Sequence, residues 1–197
     1  MSEYDPVLST PPARFARDRE QVETLFERAA GPYLRSPWGW FAWSLALPAA
    51  SLSTGAMYSR RGASGVLLLW SLTILLAGLV EAAPHLRLRK EGVSPLATWA
   101  LRGQANLSAV GVALSALLLW LGEPGALPGL WLLLLGHSFF LLGGLAFRPL
   151  RACGLLYQAA GLLALWPRMD SMWVLAGATF LGNFGIGWRV LRGSQTD

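Results

Sequence analysis

A chain of 197 residues that is 54% hydrophobic and only 14% charged falls well short of the roughly 25% charge of a soluble domain. The deficit is uneven: residues 1–37 hold five arginines and six carboxylates, while long stretches after Trp38 hold no charge at all. Apolar runs of roughly 20 residues match a hydrocarbon core about 30 Å thick at about 1.5 Å per residue, which excludes an ordinary soluble fold and reads as an all-α, polytopic membrane protein.

Residues 1–37 form a cytoplasmic N-terminal segment. They hold no 7–15-residue apolar stretch followed by a small-residue cleavage site, so no cleavable signal peptide is expected. Thr10-Pro11 supplies an N-cap and a first-turn proline, and Gly31-Pro32 supplies a stop. Between them Phe15, Val22, Leu25, Phe26 and Ala29 make an apolar stripe opposite a mixed Arg/Glu face, where Arg19 and Glu23 sit four apart. This amphipathic helix is nearly neutral, which favours docking on the protein's own loops or on a partner over a charge-driven membrane anchor.

Six spans follow within residues 38–191, at 38–57, 65–84, 104–121, 127–147, 150–166 and 172–190, with a cytoplasmic tail at 192–197. Ser59-Arg60-Arg61-Gly62 separates the first pair, and Gly122-Glu123-Pro124-Gly125 turns the third into the fourth. Arg148-Pro149 and Trp166-Pro167-Arg168 bound the fifth, because proline removes a backbone donor and disfavours helix in the residue before it. Between the second and third spans, "HLRLRKEGVSPLATWALRG" offers Ser94-Pro95 as the start of an interfacial helix that runs directly into the third.

With the N-terminus inside, the inner segments hold Arg14, Arg17, Arg19, Arg28, Arg35, Arg87, Arg89, Lys90, Arg102, Arg148, Arg151, Arg189 and Arg192, and the outer ones only Arg60, Arg61 and Arg168. That bias places both termini in the cytoplasm, in keeping with a bacterial inner membrane. A net charge of +5 would invite nucleic acid in a soluble protein. No basic face with stacking aromatics lies outside the apolar segments, so the bases read as topology signals, with Arg87, Arg89 and Lys90 at anionic lipid headgroups. Trp38, Trp40, Trp43, Trp120, Trp131, Trp166, Trp173 and Trp188 fall at span ends and read as an aromatic belt.

Polar groups inside lipid are costly, so their placement is the best functional clue. No Asp, Glu, Lys or Arg falls near a midplane. Glu81 is the deepest charge, roughly 10 Å beyond the middle of the second span, where it can form an interfacial pair with His85 one turn on. His137, Gln158, Asn183 and Thr73 fall at similar depth near the middle of four spans. Gly129, Gly136 and Gly143 recur every seven residues on the fourth span, a small-residue seam where another backbone can approach. His137 sits about 100° from that seam, flanking a helix contact. The polar group reads as interhelical glue, with a small polar binding site at the midplane as the rival.

Chemical motifs are missing. "GHSFF" at 136–140 is not a GxSxG elbow, and the four aspartates lie outside the spans, so no intramembrane aspartyl dyad exists. "GNFGIG" at 182–187 lies inside a span and is close packing. Cys153 is the only cysteine, which rules out an intramolecular disulfide, and His137 and His85 lie at different depths, so neither a metal nor a cofactor is expected. A weak echo pairs Gly55, Tyr58, Ala63 and Gly65 with Gly144, Phe147, Ala152 and Gly154, as an inverted repeat of three spans would.

Two functional classes remain. One is a non-catalytic membrane subunit, packing as a homo-oligomer or against other membrane subunits through its small-residue faces. The other is a small-molecule binder or transporter. Its size, six spans and the first-span series Ala42, Ala46 and Ala50 resemble the substrate-binding component of energy-coupling-factor vitamin transporters. The resemblance covers one helix and the gross architecture, and implies that these alanines contact a coupling subunit.

Overall fold

The computed structural model describes residues 37–88, 95–145 and 148–193, and side chains within 37–81, 102–143 and 149–192. The amphipathic N-terminal helix, Arg89, Lys90 and the last residues of the tail lie outside the described residues, as do the side chains of His85 and Arg87. The described elements are α1 (Pro37–Leu88), α2 (Pro95–Trp120), a 3-10 turn (Pro124–Ala126), α3 (Leu127–Leu145), α4 (Arg148–Ala164) and α5 (Ser171–Gly193). Four helical stretches are long and apolar enough to cross a membrane: Pro37–Glu81, Arg102–Trp120, Pro124–Gly143 and Ser171–Arg192. Among the described residues there is no strand, and the architecture is all-helical, with helices whose length and apolar character suit a membrane.

α1 is two helices joined at a reversal. Gly62 has φ 64° and ψ −156°, a backbone region open essentially to glycine alone. Beyond it the second arm (63–88) returns along the first (37–61). The two arms meet where a methyl on Gly39 would lie 3.5 Å from Glu81 Cα. The break therefore falls within the Ser59–Gly62 stretch that separates the first two spans in the sequence. α2 ends by the same residue type in a different conformation. Gly122, at φ 79°, carries a Schellman stop in which Glu123 N donates to Leu118 O (2.8 Å) and Gly122 N to Leu119 O (3.2 Å). α5 begins on Asp170, whose Oδ1 accepts from the backbone N–H of Met172 at 3.0 Å, an N-cap that satisfies a first-turn donor.

The core is built from the first arm of α1 with α3, α4 and α5. The α3–α4 and α1–α5 interfaces are the most extensive, and α4 also lies along α5. The second arm of α1 and all of α2 are peripheral. Within 63–81 only Gly65 and Ala77 are buried, and within 102–120 only Gly111. α2 runs unbroken from Pro95 into its apolar stretch, as the Ser94-Pro95 start implies. α1 and α2 share no interface comparable to that of α4 with α5 among the described residues, so the packing of the first half does not reproduce that of the second.

Charge divides between the two ends of the bundle. Close contacts of Gly143 with Arg151, and of Gly187 with Phe41, bring the end of α3, the start of α4, the end of α5 and the start of α1 together. That end carries Arg151, Arg189 and Arg192, while Arg60, Arg61 and Arg168 belong to the opposite turns.

Candidate functional site

The α3–α4 contact is made by glycines on both sides. On α3, Gly129, Gly136 and Gly143 recur every seven residues, and on α4, Gly154 and Gly161 do the same. A methyl on Gly136 would lie 2.8 Å from Gly154 O and from Gln158 N, and one on Gly129 would lie 3.0 Å from Gly161 O. Real side chains do not tolerate such distances to backbone, so the two helices touch main chain to main chain. Small residues permit this approach in lipid, where dispersion and weak hydrogen bonds take over from the hydrophobic effect.

That approach sets the position of the polar interior. Tyr157 on α4 is 1% exposed and its hydroxyl donates to Asn183 Oδ1 on α5 at 3.0 Å. Gly182, next to Asn183, leaves room for the Tyr157 ring and for Cys153 Sγ, which a methyl on Gly182 would meet at 2.7 Å. The Tyr157 ring lies 5.5 Å from that of Phe139, which meets Trp40 edge-on at 5.9 Å. Three helices thus meet at one tyrosine, and α1 joins them through the Trp40–Phe139 contact.

The four polar residues singled out by depth do not share this place. Asn183 is buried and bonded to Tyr157. Gln158 is half-buried at the Gly136 contact. Thr73 Oγ1 donates to Leu69 O of its own helix at 2.8 Å, on the peripheral arm. His137 is exposed and makes no hydrogen bond to a described residue. No hydrogen bond links any two of the four among the described residues. Ala50 is buried within the chain itself, while Ala42 and Ala46 are half-buried.

Several polar contacts had no advance signal beyond residue type. The Trp70 indole donates to Thr54 Oγ1 at 3.1 Å, and that of Trp131 to Ser115 Oγ at 3.1 Å. Each hydroxyl in turn donates to the carbonyl one turn back, Thr54 to Ala50 O and Ser115 to Gly111 O. Trp43 Nε1 donates to Glu81 Oε2 at 2.8 Å, and Ser138 Oγ meets Gln104 Oε1 at 2.5 Å. These bonds fasten the peripheral second arm and α2 to the core. The tryptophans therefore divide. Trp38, Trp120, Trp166 and Trp173 are exposed at helix ends, as a belt requires. Trp43 and Trp131 are hydrogen-bonded clasps, because their neighbours offer an acceptor that lipid tails lack.

Comparisons with protein-family models, with curated proteins and with solved structures return no match. Geometry alone must therefore say what the arrangement can do. Among the described residues no three His, Cys, Asp or Glu side chains gather as a metal site would require. No buried side-chain nitrogen or oxygen there lacks a hydrogen-bond partner. The interior polar groups are thus satisfied within the chain, by each other or by carbonyls of their own helices. His137 differs, being polar, near the middle of an apolar helix, and turned outward.

Proposed function

We propose that the chain is a six-span, non-catalytic membrane subunit that assembles with a second copy or with another membrane protein through the outward face of α3. The crossings are the two arms of α1, then α2, α3, the 17-residue α4 and α5. The lower limit for a crossing helix is about 17 residues, which α4 meets. The distribution of Lys and Arg supports cytoplasmic termini in a bacterial inner membrane.

The observation that carries this reading is His137. It stands halfway along α3, exposed beside the exposed Leu141. Hydrocarbon offers an imidazole neither donor nor acceptor, so an ionisable residue at that depth calls for a polar partner from another membrane segment. The solute-binding alternative draws on the interior polar groups, but Tyr157 and Asn183 already bond to each other.

A cysteine placed at Leu141 in a Cys153→Ala background tests the proposal in native membranes. Oxidative crosslinking is expected to give one discrete adduct, either a covalent dimer or a heterodimer, weakened at least severalfold by His137→Leu. A chain that stays monomeric under crosslinking, with His137→Leu unchanged in yield and behaviour, overturns it.

A further inference from the structure

On the opposite side of the core, α5 carries an uninterrupted aromatic ladder. Phe180 stacks on Phe184 with centroids 5.5 Å apart, and Phe184 stacks on Trp188 at 6.3 Å. The Arg192 guanidinium lies 4.9 Å above the Trp188 ring. Phe41 of α1 braces the middle of the ladder, 5.5 Å from Phe184. Although stacked on each other, these rings remain about two-fifths exposed: Phe180 40%, Phe184 41% and Trp188 43%. Leu181 beside them is 61% exposed. Gly177 and Gly185, one turn either side of Leu181, lie on this face too, and a methyl on either would meet nothing within 4 Å.

The far end of the ladder is cationic. Arg189 and Arg192 are both exposed, and neither forms an ion pair among the described residues. A guanidinium placed over an indole still has N–H groups to offer a phosphate oxygen. From Phe180 to Arg192 the helix rises about 18 Å. One leaflet contributes about 15 Å of a hydrocarbon core about 30 Å thick. The apolar stripe is therefore one acyl chain long and ends at phosphate level in two arginines that have no ion-pair partner among the described residues.

From this match of length and charge, we propose that the outward face of α5 is a docking site for an anionic phospholipid, its phosphate between Arg189 and Arg192 and one acyl chain along Leu181 beside the Phe180–Phe184–Trp188 ladder. The ladder gives the chain a rigid wall, and the exposed glycines leave space for it against the helix backbone. This rests on the membrane location but not on assembly through His137, which lies on a different helix and a different face.

Native mass spectrometry of the full chain released from mixed micelles tests the site. The micelles contain dioleoyl phosphatidylglycerol or dioleoyl phosphatidylcholine at equal concentration. Phosphatidylglycerol is expected to remain bound as a single discrete adduct and phosphatidylcholine to leave. Arg189→Gln/Arg192→Gln is expected to weaken retention about thirtyfold, at about fivefold for each basic residue near an anionic headgroup. Arg60→Gln/Arg61→Gln, at the other end, should leave it unchanged. Equal retention of the two lipids overturns the proposal, as does full retention by the Arg189/Arg192 variant. So does a covalent dimer formed through a cysteine at Leu181, which would put protein on this face. Protein that washes out of membranes in carbonate would refute the membrane location itself, a result separate from any of these.

Discussion

Trp131 on α3 donates its indole N–H to Ser115 on α2 across sixteen residues of chain, and Trp70 donates to Thr54 across the same separation in the α1 hairpin. In both, the accepting hydroxyl in turn donates its own O–H to a carbonyl four residues back. The two relays recur because they answer the same need. A helix with little buried surface must be fastened to its neighbour in a medium that supplies no hydrogen bonds. Gly111 makes the Trp131 clasp possible, since a methyl there would meet the Trp131 ring at 2.8 Å.

Trp131→Phe removes the donor together with part of the ring. The share of the lost stability that belongs to the hydrogen bond is expected to be about 0.6 kcal/mol and at most about 1.7 kcal/mol, the range for interhelical hydrogen bonds in a bilayer. Unfolding in mixed micelles measures the total loss, and a double-mutant cycle with Ser115→Ala should recover that share as coupling. Additive losses would mean that the bond contributes nothing.

Gly136→Ala should be far more damaging than Gly78→Ala. At Gly136 the methyl would be driven into the backbone of Gly154 and Gln158, while at Gly78 it would meet nothing within 4 Å. Overpacking of a rigid contact costs about 1–3 kcal/mol, and the unhindered replacement at Gly78 should be neutral or slightly stabilising through helix propensity. Thermal inactivation midpoints of the two purified variants decide the comparison.

Tyr157→Phe leaves the Asn183 carbonyl oxygen without its donor in a closed interior. Stranding a buried acceptor costs about 1–3 kcal/mol. A paired Tyr157→Phe/Asn183→Leu variant removes both polar groups and should regain part of that loss. If the pair instead serves a bound solute, the single variant would keep its stability.

Gly62→Ala isolates the backbone. No atom lies within 4 Å of where the methyl would sit, so the expected loss of about 1–3 kcal/mol comes from the dihedral angles alone. Denaturation of the variant measures the loss, and an unchanged midpoint would show that the arms can reverse in another conformation.

Much of this architecture can be read from residue order, and the remainder fails for definable reasons. The seven-residue recurrence of Gly129, Gly136 and Gly143 marks a contact face because spacing on a helix fixes direction. The same rule, applied to Gly154 and Gly161, identifies its partner. Helical angle places His137 about 100° from the seam, but it does not say whether a third helix covers that direction, and no described helix does. The tryptophans divide for a related reason. An indole suits both a headgroup belt and an interhelical bond, and only a neighbouring hydroxyl or carboxylate, distant in sequence, selects between them. Tyr157 carries no periodic signal as a hub, since its role arises where Gly182 of α5 makes room for its ring.

The lengthwise pairing of α1 with α5 governs when this molecule can be completed. The first arm leaves the ribosome before any other described helix, yet the partner of its inward face is the last to be made. Until α5 arrives, Phe41, which meets Phe184 and Gly187 of α5 in the finished chain, must face lipid or an attendant protein. Ser44 and Ser51 of the same arm need no other helix in that interval, because each hydroxyl donates to a carbonyl of its own helix, Phe41 O and Leu47 O. A ribosome stalled anywhere before Ser171 would leave an inserted chain in which α1 lacks the helix it packs against most extensively.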